Sequence, residues 1–154
     1  MKYKDVIFGI DFDGTCVTHE FPKVGKTLPY SVEVLKRIVD EGGKLILWTM
    51  RCNHTEQPIV DKDQPNTNNP IIECDADNYL DHAKKWFEEN NIPLWGCQCN
   101  PNQHTWTQSP KAYCHIYIDD AALGCPTMMD KTFSERPYVD WVIVEALLFP
   151  EEYN

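Results

Sequence analysis

Four aspartates stand where chemistry could be done. Asp11 and Asp13 flank Phe12 in the run Asp11-Phe12-Asp13-Gly14-Thr15, and Asp119 and Asp120 are adjacent. Each set directly follows an apolar, β-rich run, residues 6–10 and 115–118. Gathered at one edge of a sheet, four carboxylates repel strongly. A hard divalent cation relieves that repulsion, and an all-oxygen ligand set suits magnesium. Magnesium keeps several waters and takes one or two carboxylates plus substrate phosphate, so the set points to phosphoryl transfer. One carboxylate can attack phosphorus and form an aspartyl-phosphate, which divides hydrolysis into two easier steps. A second, two residues on, could protonate the leaving oxygen and later deprotonate the attacking water. Gly14 would let the backbone come close to the phosphate. The Thr49 hydroxyl and the Lys111 ammonium are candidates for its remaining oxygens.

The elements that must position these residues read as follows. Residues 6–10 form a buried strand of a parallel sheet. Ser31 is placed to cap a helix whose stripe is Val32, Leu35, Ile38 and Val39, and Gly42-Gly43 stops it. Leu45-Ile46-Leu47-Trp48 is a second buried strand ending at Thr49, which completes a βαβ unit. Asp75 is placed to cap a second helix with an apolar face of Tyr79, Leu80, Ala83, Trp86 and Phe87, ended by Asn90-Asn91. Pro93-Leu94-Trp95 opens a short strand. His115-Ile116-Tyr117-Ile118 is a further buried strand ending in Asp119-Asp120. Tyr138 to Leu148 reads as the last helix. Three apolar strands thus end in Asp11, Thr49 and Asp119, and ligands of open α/β sheets bind outside the carboxyl ends of the strands.

The ordered motifs resemble those of the haloacid dehalogenase (HAD) superfamily of phosphatases. Its first motif, a strand followed by DxDGT, matches Ile10-Asp11-Phe12-Asp13-Gly14-Thr15. Its second, a strand ending in Ser or Thr, matches Leu45-Ile46-Leu47-Trp48-Thr49. Its third, a lysine, has a candidate in Ser109-Pro110-Lys111. Its fourth, a strand ending in paired acids, matches Ile116-Tyr117-Ile118-Asp119-Asp120. The matches span residues 10 to 120. The resemblance implies Asp11 as nucleophile and Asp13 as general acid/base. It implies magnesium held by the Asp11 carboxylate, the backbone carbonyl of Asp13 and Asp119, with Asp120 bound through water or orienting the site. It implies Gly14, Thr49 and Lys111 around the phosphate; Lys84, Lys85 or Arg51 are alternatives to Lys111. It also implies a HAD-like, three-layer Rossmann-like α/β fold with a central parallel sheet of about five strands. Neither gap between motifs holds a full cap domain, so the chain resembles a capless or minimally capped member.

At 154 residues the chain is read as one domain, 1–154, and a 42% hydrophobic fraction is ordinary for a globular core. The loops 16–29, 51–74 and 96–110 are placed to line the entrance and set specificity. No run approaches the ~20 apolar residues of a membrane helix. No signal core follows the first residues, and the 7 cysteines are an odd count, so a cytoplasmic location with reduced thiols is expected. The formal net charge of −10 disfavours nucleic acid as a partner. It leaves open a small phosphorylated substrate, a sugar phosphate or nucleotide monophosphate. Oligomeric state is not legible.

Two local patterns do not hold up. Gly25-Lys26-Thr27 resembles the end of a P-loop, but the glycine required five residues earlier is Glu20. Cys97-Gln98-Cys99 with Cys114-His115 lacks the usual zinc spacing. Two other functions stay open beside the phosphatase: a phosphotransferase or mutase, and a non-catalytic module that binds a phosphorylated ligand.

Overall fold

Ile7-Phe8-Gly9-Ile10 and Leu45-Ile46-Leu47 have no polar face to show water, so both bury within a sheet. A computed structural model describes residues 1–53 and 78–152. Its elements, in chain order, are β1 (Ile7–Ile10), α1 (Ser31–Asp40), β2 (Lys44–Leu47), α2 (Tyr79–Glu89), β3 (Gly96–Cys97), β4 (Ile116–Ile118), β5 (Thr127–Met128), β6 (Tyr138–Val139) and α3 (Trp141–Leu148). Four strands form a parallel sheet in the order β3-β2-β1-β4. Register sets Ile10 beside Leu47 on one side and Ile118 on the other. The three strands therefore end level.

Alternation divides the side chains between two faces. Phe8, Ile10, Leu45, Leu47 and Ile118 join one core with buried residues of all three helices, among them Leu35, Ile38, Trp86, Phe87 and Trp141. Ile46 faces the other way, against Ala112 and Cys114 from the connection between β3 and β4. Trp48 packs on this second cluster and is half-buried. The result is a three-layer, Rossmann-like α/β fold.

Four expectations are corrected. The parallel sheet has four strands among the described residues, not about five; β5 and β6 pair antiparallel as a separate ribbon. The last helix begins at Trp141, not Tyr138, because the Asp140 carboxylate accepts from the N–H groups of Val142 and Ile143 and caps it there. The third strand is Gly96–Cys97, after the Pro93-Leu94-Trp95 run. Its approach to β2 begins where Trp95 N donates to Leu45 O at 2.8 Å; Pro93 itself has no N–H to give. Ser31 is the first helical residue, not the cap; its hydroxyl donates to Leu28 O at 2.9 Å, and the cap position is Tyr30 at φ 64°. The second helix carries the expected face, with Leu80, Ala83, Trp86 and Phe87 buried. Asp75 lies outside the described residues.

Candidate active site

The sheet order reverses between β1 and β4. From β1 the chain runs outward through β2 to β3, then returns to place β4 on the far side of β1. The carboxyl ends at such a switch point splay apart and leave a crevice. Asp11 follows β1 and Asp119-Asp120 follow β4, so the switch point is lined by carboxylates. The ladder extends one step past β1, where Asp11 N donates to Ile118 O at 3.0 Å.

Thr15 ties the two sides together. Its hydroxyl donates to Asp11 Oδ2 at 2.7 Å and accepts from Asp120 N at 3.2 Å. Its carbonyl accepts from Trp141 Nε1 at 2.7 Å in the buried core. One ligand oxygen from each of Asp11, Asp119 and Asp120 lies within 4.8 Å of the others, the one group suited to a metal among the described residues. The Asp11 carboxyl is pushed up to about 8. Burial is the main cause. The Thr15 hydroxyl and Phe12 N–H oppose it, while Asp119 and Asp120 add to it. Three carboxylate oxygens, one of them on a group that burial holds against ionising, form a donor set that fits a hard divalent cation.

Asp13 lies outside that group. Both its oxygens accept from Arg51, Oδ2 from Nε at 2.7 Å and Oδ1 from Nη2 at 2.7 Å. Its carboxyl group is thus held by a guanidinium.

Gly14 sits at φ +83°, where a side chain is strained. A Cβ there would lie 2.0 Å from His19 Nε2 and 2.5 Å from Asp120 Oδ2. The close approach at Gly14 is therefore made by His19 and Asp120, whose side chains meet at 2.7 Å. The loop 16–29 brings His19 there. It is laced by bridges from Val17 to Asp13 and to Thr27.

Thr49 lies just past β2, and its hydroxyl accepts from Arg51 N at 3.1 Å, which leaves its proton to donate. Gln98 holds this turn. Its side chain accepts from Thr49 N at 2.9 Å and donates to the carbonyls of Thr49 and Arg51 at 2.6 and 3.0 Å. Lys111 is exposed, with its ammonium 5.4 Å from the centre of the Tyr117 ring. Arg51, an alternative to Lys111, has all five of its N–H groups engaged inside the protein. Lys85 pairs with Glu89 one helical turn on, at 3.6 Å, and Lys84 is exposed on the same helix. Trp106 and His104 are exposed; the His104 ring meets Pro101 O at 3.0 Å. His54 and residues 54–74 of the second specificity loop lie outside the described residues.

The roles of His19, Gln98 and Arg51 at the site are not apparent in the sequence. No spacing rule links His19 to Asp120, and Gln98 reaches back across β2–β3. Arg51 carries a weak signal, as a cation four residues past a strand that ends level with Ile10.

No protein-family model matches the chain, and no curated protein matches it in sequence. A solved structure is similar in fold: a conserved protein from Bacteroides thetaiotaomicron, 24% identical, with a TM-score of 0.61. The match covers 96% of this chain and 91% of that one. Among the described residues no helix is long and apolar enough to cross a membrane.

Proposed function

We propose that the protein is a magnesium-dependent phosphomonoester hydrolase of the HAD type that works through an aspartyl-phosphate on Asp11. The substrate would be a small phosphorylated metabolite, a sugar phosphate or a nucleotide monophosphate. The observation that carries this reading is the convergence of Asp11, Asp119 and Asp120 at the switch point of the sheet. Those three carboxylates would hold the ion, together with the Asp13 carbonyl. When bound, magnesium supplies positive charge that offsets the charge of the phosphoryl group.

The residues would act as follows. An Asp11 carboxylate oxygen attacks phosphorus, and the ester P–O bond breaks. Asp13, protonated on an oxygen lone pair that the Arg51 fork leaves free, gives its proton to the departing alkoxide. Asp13 then takes a proton from water, whose oxygen attacks phosphorus and breaks the bond to Asp11. Phosphate leaves and both carboxyls return to their starting states. Thr15 orients Asp11, since its hydroxyl donates to one carboxylate oxygen and leaves the other to attack. The Thr49 hydroxyl proton and Lys111 are assigned to the equatorial phosphate oxygens.

The test is phosphate release from p-nitrophenyl phosphate and a panel of sugar and nucleotide monophosphates. Wild type with magnesium is compared with wild type in EDTA and with Asp11→Asn. Turnover is expected only in the first. A folded wild type that binds magnesium yet releases no phosphate from any ester would instead favour a phospho-ligand-binding module.

A further inference from the structure

We infer that Arg51 positions Asp13 for proton transfer, and that it keeps this post when a phosphate ester enters the site. The inference rests on the phosphatase reading, in which Asp13 is the general acid/base. Arg51 is 2% exposed. Its Nε–H and one Nη2–H go to the two Asp13 oxygens, each at 2.7 Å. The other Nη2–H goes to Lys23 O at 2.9 Å, and the Nη1 protons go to Pro22 O at 3.3 Å and Tyr79 O at 3.4 Å. Five donors meet five acceptors, with none left for a ligand. The guanidinium carbon also lies 5.0 Å from the centre of the Phe12 ring and 5.2 Å from that of Phe21.

A cation placed to clamp phosphate keeps donors aimed into the crevice. Turning Arg51 toward a phosphate would strand one carboxylate and three carbonyls, each at a cost. The fork instead fixes the plane of the Asp13 carboxylate. A short Asp side chain otherwise turns about two bonds, and a misplacement of about 1 Å can cost a factor of about 10² in rate. The Asp13 side chain keeps 17% of its surface exposed, so it is reachable from the crevice while its partner is not. A competing account is that Arg51 merely ties loop 16–29 to the start of α2.

Leaving-group dependence separates the two. An alkyl alcohol needs a proton to depart, whereas p-nitrophenolate leaves without one. Lysine is a point charge that cannot reproduce the fork. Arg51→Lys is therefore expected to lower kcat on an alkyl phosphomonoester by about 10²-fold, the scale of general acid catalysis. On p-nitrophenyl phosphate the loss should be a few-fold at most, with KM unchanged on both. Asp13→Asn should show the same selectivity, and adding Arg51→Lys to it should add no further selective loss. An equal loss on both esters would reduce Arg51 to a structural tie and overturn the inference. A raised KM with kcat kept would make it a phosphate ligand and overturn it too.

A second measurement needs no arginine variant, and the protein has only three arginines to assign, Arg37, Arg51 and Arg136. In ¹⁵N-arginine spectra of wild type, separate, slowly exchanging Arg51 Nη resonances should persist with magnesium and beryllofluoride, and coalesce in Asp13→Asn. Their loss on adding beryllofluoride would overturn the inference even if Arg51→Lys does not fold. A wild type inert toward both esters would sink the phosphatase reading and the inference with it, and would do so before any variant is compared.

Discussion

His19 Nε2 and Asp120 Oδ2 meet at 2.7 Å directly above Gly14, although 101 residues separate them in the chain. Both side chains are mostly shielded from solvent. The contact joins the loop 16–29 to the acidic pair after β4. It also fills the space in which any residue larger than glycine at position 14 would place its Cβ.

Gly14→Ala should therefore destabilise the protein by about 1–3 kcal/mol, from the positive φ alone, and by more from the overlap with His19. Part of that second loss should return in Gly14→Ala/His19→Ala, because the nearer of the two clashes is gone. Urea denaturation of the two single variants and the double variant measures the coupling. Strict additivity would mean that the His19 ring moves aside at no cost, against the packing seen here.

His19 also steadies a carboxylate assigned to the metal. Partners of this kind fix ligand orientation, and losing one typically weakens metal binding by about 10–100-fold. His19→Ala should weaken Mn²⁺ binding to the metal-free protein by about 10-fold at the low end of that range. Electron paramagnetic resonance titration of free Mn²⁺ reads this without any substrate. Unchanged affinity would leave His19 as a packing residue only.

The Thr15 loop has its own support in the core. Trp141 is 1% exposed, and its indole N–H donates to Thr15 O at 2.7 Å. Trp141→Phe keeps much of the ring but leaves a carbonyl on a fully buried residue without that donor. A loss of about 1–3 kcal/mol in urea denaturation is expected. A neutral substitution would mean that Thr15 O finds another partner.

The residues legible in the sequence are those whose chemistry sits next to a strong strand signal. Residues 7–10, 45–47 and 116–118 are unbroken apolar runs; Asp11 and Asp119 follow theirs directly, and Thr49 follows after Trp48 alone. Level strand ends then bring Asp11 and Asp119 together. What was illegible depends on long-range geometry. Tyr138-Val139 is parted from the apolar helix only by Asp140, the helix cap, and pairing with Thr127-Met128 marks it as a strand. Arg51 finds Asp13 because β1 and β2 lie side by side in register, a relation across 38 residues that no local pattern encodes. Gln98 reaches Thr49 by the same route, from a residue at φ 57° just past β3.

The Asp11 carboxyl gives a pH signature with a definite sign. Its value of about 8 in the fold stands above the roughly 3.9 of an unfolded aspartate. Between those values the native state binds more protons than the unfolded one, so stability falls as pH rises through that window. The Asp11 contribution is fully present below pH ~4 and is lost as pH passes ~8. The metal-free wild type should thus lose stability between pH 5 and 8 relative to Asp11→Asn, which has no such proton. Magnesium must displace that proton to bind the carboxylate. Calorimetric titration at pH 7 in buffers of different ionisation enthalpy should report release of about one proton per ion in wild type and markedly less in Asp11→Asn. Binding heats independent of buffer would show that Asp11 is already ionised in the metal-free fold, and that burial does not hold its charge in check.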